Sequence, residues 1–304
     1  MLVKRFRFLF LSVMMIITSS CNSGEVIVAT MPDSKSATFS VVEYTPAPGQ
    51  FIGDTKSAGF SKEEPIATPE AAAAYAQQRI DKGLFISLGA FGGYVVVQCS
   101  PSIPNGGGYD FIISGNAFEN SSEPGIVWVM QDVNGNGRAD DLWYELRGSE
   151  SQKEGTIYDY AVTYYRPEAE EQAVRWSDNR GGSGEVEYLR SFHDQPSYYP
   201  EWIDADSYTL RGTRLESQSY EKSGSGSQWI NPFFGWGYAD NASTEDSNGR
   251  DNYFDIAHAE DAAHNAVVLE TIDFIKVQGA IVQQCGWIGE VSTEVTGFKT
   301  VVDE

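Results

Sequence analysis

Cysteine and histidine are scarce, with three of each in 304 residues. No metal-ligand spacing joins the cysteines to the histidines. Cys99 and Cys285 each end a strand-like run, 94–99 and 281–285. Their position leaves two readings open: an extracytoplasmic disulfide or two buried thiols. Cations are also few. Twenty-one Lys and Arg stand against 43 Asp and Glu, for a net charge of −22. Such a balance disfavours nucleic acid and anionic lipid as partners. Past residue 20 no apolar run reaches the roughly 18 residues of a membrane span. There is no fixed-period repeat. Ser223 to Gly226 lacks the strand–turn–helix setting of a nucleophile elbow, and no Ser-His-Asp arrangement can be argued.

The N-terminus has the pattern of an export signal. Lys4, Arg5 and Arg7 form a basic start, residues 8–17 are apolar, and Thr18-Ser19-Ser20 lead into Cys21. A cysteine after small residues resembles the bacterial lipoprotein box, which implies a signal peptide over 1–20 and lipidation of Cys21. Loss of the signal removes three cations and leaves −25. Residues 21–50 read as the lipidated cysteine, a tether and a first strand at 25–30. Residues 51–304 read as one domain.

The most informative stretch is Asp132-Val-Asn-Gly-Asn-Gly-Arg-Ala-Asp-Asp141. Side-chain oxygens at loop positions 1, 3, 5 and 9, with glycine at position 6, are how a short loop wraps a hard cation. Asp132, Asn134, Asn136 and Asp140 would give side-chain oxygens and Arg138 its carbonyl, while Gly137 makes the turn. Position 12 is Trp143 rather than a bidentate Glu. The closing carboxylate then falls to Asp141, Glu145 or a residue from elsewhere. A strand at 125–130 precedes the loop, so this is a structural calcium loop between strands and not an EF-hand.

Elsewhere, short apolar runs bounded by Gly, Pro and Asn predict strands at 84–88, 93–97, 109–113, 125–130, 157–165 and 267–277. One helix is expected over 69–80. Thr68 is its N-cap, Pro69 sits at N1, and Gly83 is the stop. The pattern predicts a mostly β chain, an antiparallel sandwich with one short helix. Residues 175–185, 217–228 and 240–255 read as polar insertions, and 228–238 as an aromatic-dense one. Loops of this length are where binding is expected.

Trp229, Trp236 and Tyr238 offer flat faces with polar tips, which suits sugars or other large amphipathic ligands. Trp128 and Trp143 are expected to pack beneath the calcium loop. Asp255, His258, Asp261 and His264 recur every three residues, as metal ligands on one helical face would, or simply as a short polar helix or loop. His258 is a further ligand candidate. Asp110, Glu119 and Glu123 lie close in sequence. Two of them would hydrolyse a glycosidic bond only if held roughly 5–10 Å apart.

Several longer motifs resemble a family: residues 87–94 (SLGAFGGY), 109–118 (YDFIISGNAF), 123–129 (EPGIVWV), the calcium-like loop, 143–150 (WYELRGSE), 272–277 (IDFIKV) and 286–295 (GWIGEVSTEV). They are similar to surface lipoproteins of gut Bacteroidetes. The resemblance spans residues 84–298. It implies a jelly-roll β-sandwich at the outer membrane that captures a nutrient beside a TonB-dependent transporter. It also links some members to cobalamin uptake, which makes a corrinoid one ligand and a glycan the other. Residues 22–25 hold a single acid, short of the acidic tag of outward-facing members, so the inward orientation stays open. The chain is therefore expected to be a lipid-anchored binding protein with calcium as a structural cofactor and no catalytic residues. An adhesin and a glycoside hydrolase are the alternatives.

Overall fold

The computed structural model describes residues 36–54, 66–190 and 195–301. Cys21, the signal and the strand expected at 25–30 lie outside them.

Six strands form one antiparallel sheet in the order Thr38–Thr45, Tyr94–Pro104, Thr271–Gly279, Gly125–Met130, Trp143–Leu146 and Ala259–Glu260. Side chains alternate across a strand, so register sets each face. Val97, Ile275 and Val129 are neighbours in one row, and Val95, Val277 and Val127 in the next. All six are fully buried. They meet Phe111, Ile113 and Phe254 of a second antiparallel sheet, ordered Ser247–Asn248, Asp251–Phe254, Phe111–Ser114 and Gly297–Thr300. Two antiparallel sheets closing on one core make a β-sandwich, as expected. The chain passes from one sheet to the other several times.

Four further strands, Ser207–Arg214, Ile157–Tyr165, Val174–Asp178 and Ser183–Val186, form a third sheet. Its own core holds Tyr160, Val162, Tyr164 and Leu210 around Phe91. Gly92, at φ +86°, lets this sheet approach, since a Cβ there would lie 2.7 Å from Leu210 Cβ. Gln278 ties the two bodies by donating to the carbonyls of Gly92 (2.8 Å) and Arg211 (3.1 Å).

The helix spans Pro69–Asp81, and Thr68 accepts from Ala71 N at 3.2 Å. The chain leaves through Gly83 at φ +66°. Ala72, Tyr75 and Ala76 are buried against the sandwich. Gln77 accepts from Val41 N at 2.6 Å, so the helix covers the outer edge of the six-stranded sheet where a bulge interrupts Val41/Glu43. Arg79 is buried, donating to the carbonyls of Phe85 (2.6 Å) and Asp54 (2.9 Å).

Three expectations change. The stretch after residue 30, read as tether, contains the edge strand Thr38–Thr45. Ser and Thr disguise it, because its edge position leaves most of its side chains in water. Residues 175–185 are not a polar insertion. They lie within a hairpin, Val174–Asp178 with Ser183–Val186, that buries only Val174 and Val186. Cys99 and Cys285 are free thiols in separate cores, which closes the disulfide option.

Candidate functional site

Where the third sheet meets the outer face of the six-stranded sheet there is a cleft of about 320 Å³. Its floor follows from strand register. Val96, Lys276, Trp128 and Glu145 share one row, flanked by Tyr94 with Gln278 and by Met130 with Trp143. This is the face turned away from the sandwich core, so it carries large amphipathic side chains. Thr209, Leu210 and Arg211 form the far wall. Ala139, from the Asp132 loop, forms the rim.

Lys276 is the centre of this floor. Its Nζ lies 4.6 Å from the Trp128 ring, 5.1 Å from Trp143 and 5.9 Å from Tyr94. Aromatic faces attract an ammonium, yet burial pushes the amine down to about 8, opposed by the charges of Glu145 and Glu43. Burial likewise pushes Glu145 up to about 7, opposed by the Thr213 hydroxyl that it accepts. Glu43, the acid in the lining, accepts the Tyr94 hydroxyl.

The Asp132 loop is folded into its wrapped form. Asp132 accepts from Asn136 N (3.1 Å) and Gly137 N (2.7 Å), and Asn136 Oδ1 accepts from Arg138 N (2.7 Å). Asn134 and Asn136 both reach Asp140. Asp141 turns back to accept from Val133 N at 3.0 Å, and Asp273, from elsewhere in the chain, accepts from Asp132 N at 2.8 Å. Glu145 accepts the Thr213 hydroxyl of the third sheet instead. Gly135 and Gly137 sit at φ +70° and +71°, where L side chains are strained.

The predicted ligand residues separate. Trp236 and His258 come together, ring centroids 4.9 Å apart, in a recess of about 70 Å³ beside Arg147, Tyr109 and Tyr253. Such a volume admits a few atoms, not a sugar ring. Burial lowers the His258 pKa, and Arg147 adds to that. Tyr238 is a core residue at 1% exposure; its hydroxyl accepts Glu150 N at 2.9 Å, so it offers no face to a ligand. Trp229 packs half-buried against a different core cluster. Asp255 and Asp261 cap local turns, and a 3₁₀ turn at Ile256–His258 runs into a strand, so the one-face metal arrangement with His264 does not form. His264 stacks instead on Tyr158.

The three neighbouring acids also part. Asp110 is buried and ties Gly106 N (2.6 Å) to Ile256 N (2.8 Å). Glu119 is exposed. Glu123 turns inward to Asp240 and Glu294, and one carboxylate oxygen of each lies within 4.8 Å of the others. Burial raises the pKa of all three. Sequence reading missed the cleft because its residues come from strands far apart in the chain. The one local signal was Trp128 and Trp143 flanking the loop. Comparison with protein-family models and with curated proteins returns no match.

Proposed function

We propose that this protein is a binding protein whose cleft over Tyr94, Trp143 and Lys276 takes a glycan. The observation that carries this reading is the pairing of two aromatic faces with a charged, hydrogen-bonding wall in a space of about 320 Å³. That volume sits at the low end of ordinary small-ligand sites and suits one sugar ring with its neighbours outside. A corrinoid is several times larger and would have to lie across the rim. Glu43 is the one acid in the cleft lining among the described residues and accepts the Tyr94 hydroxyl, while Glu145, farther along the Lys276 row, accepts the Thr213 hydroxyl; this favours binding over paired-carboxylate hydrolysis. The calcium loop at the rim would hold one edge of the cleft in place. The export pattern at residues 4–21 supports a lipid-anchored protein outside the cytoplasm, and the resemblance of residues 84–298 is what suggests service to a TonB-dependent transporter.

A glycan array probed with labelled protein, followed by tryptophan-fluorescence titration of the best hit, tests the reading. Trp143→Ala and Lys276→Met should each weaken binding at least about tenfold, roughly 1.4 kcal/mol, while Trp236→Ala leaves it unchanged. An array without hits, or equal affinity in all variants, would remove the proposal. Quenching by micromolar cyanocobalamin in its place would move the ligand to a corrinoid.

A further inference from the structure

Glu123, Asp240 and Glu294 come from three distant parts of the chain. Glu123 lies two residues before the start of the central strand Gly125–Met130, and Glu294 belongs to the short strand Glu294–Val295. Asp240 sits at φ +52°, a conformation that non-glycine residues seldom hold. Its carboxylate is fixed by three backbone donors: Asn116 N and Ala117 N at 2.8 Å to Oδ1, and Glu294 N at 2.9 Å to Oδ2. Glu123 accepts Ser292 N at 3.2 Å. Among the described residues none of the three has an ion-pair partner.

A second observation is independent of the clustering. Glu294 is 4% exposed, and its Oε2 is buried with no hydrogen bond of good geometry among the described residues, its polar neighbours being Ser292 and the other two acids. A buried, unpaired carboxylate oxygen is expensive to keep. Hard cations relieve that cost, and Ca²⁺ holds oxygens at about 2.3–2.6 Å, so ligands on opposite sides of one ion are roughly 4.6–5.2 Å apart. Three oxygens within 4.8 Å of one another therefore fit on a single coordination sphere.

We propose that Glu123, Asp240 and Glu294 bind a hard divalent cation of calcium's size, at a site separate from the Asp132 loop. An all-oxygen donor set gives no advantage to zinc or copper. The ion would rivet the start of the central strand to the segments around residues 240 and 294. This inference does not depend on what the cleft binds.

The test is equilibrium dialysis of the EDTA-stripped full chain against CaCl₂, with bound metal measured by elemental analysis. Asp132→Ala/Asp140→Ala, which disables the loop, should keep one equivalent of calcium. Adding Glu294→Gln should remove that equivalent or weaken it at least tenfold. No calcium in the loop variant, or undiminished binding after Glu294→Gln, overturns the proposal and leaves shared protons as what neutralises the acids. Should Glu294→Gln lack the native circular dichroism spectrum, wild-type crystals soaked in MnCl₂ decide. An anomalous peak among the three carboxylates supports the site, and its absence defeats it.

Discussion

Glu145 and Lys276 show how little a side chain's ordinary charge says about its state in a fold. They lie in one row of the sheet with Trp128 between them. Burial drives both toward neutrality, Glu145 up to about 7 and Lys276 down to about 8. For the acid the consequence has a definite sign. A carboxyl whose folded pKa is raised stabilises the fold below its unfolded value near 4.3, and that contribution is lost as pH climbs through 7. Glu145→Gln should therefore flatten the fall in melting temperature between pH 5 and 8. Relative to wild type, the variant should gain about 1–2 kcal/mol at pH 8, roughly 2–6 °C for a chain of this size. Thermal melts across that range check it, and parallel pH profiles for the two proteins would refute it. The same row explains why the cleft was illegible in the sequence. Trp128, Glu145, Lys276 and Tyr94 become neighbours only through strand pairing, and no local spacing encodes that.

Among elements, the Asp132 loop and the helix were the most legible, because each is specified by residues within a dozen positions. Thr68, Pro69 and Gly83 stand where helix chemistry needs them. Long apolar strands such as Gly125–Met130 and Ile157–Tyr165 were also readable. Ser207–Arg214 and Asp251–Phe254 were not, because polar and charged residues fill much of both and strand propensity cannot speak for packing. Long apolar periodicity was never available to the hairpin Val174–Asp178/Ser183–Val186. For the loop, Asp132→Ala should cost stability twice over. It removes the acceptor for Asn136 N and Gly137 N even without metal, about 1–2 kcal/mol. If the loop holds calcium, the change should also remove the loop's share of stabilisation by saturating calcium, about 2.7 kcal/mol at a hundredfold excess over Kd. Melts with EDTA and with calcium separate the two parts. Equal losses under both conditions would mean that the loop holds no ion.

At the scale of the whole molecule, the sandwich and the third sheet bury separate cores, and among the described residues no disulfide joins them. Cys99 packs in the sandwich core and Cys285 in a cluster with Phe234 and Ile281. Both thiols are held above their usual pKa by burial, Cys285 at about 11. Dithiothreitol should leave the melting temperature within about 1 °C. Peptide mapping after maleimide treatment should find both residues unlabelled in the native protein and labelled in guanidinium. Protection lost to reductant would reveal a bridge after all.

The reach of Gln77 onto Val41 has a consequence for how the sheet meets other chains. A sheet's terminal strand shows a row of vacant amides and carbonyls to any passing chain, and that is how native proteins begin to polymerise. Here a helical side chain occupies one of those amides at the bulge, where the strand already bends away. At the opposite margin the sheet ends in only two residues, Ala259–Glu260, too short a template for a stranger to extend. Both borders are thereby closed to self-association without a closed barrel.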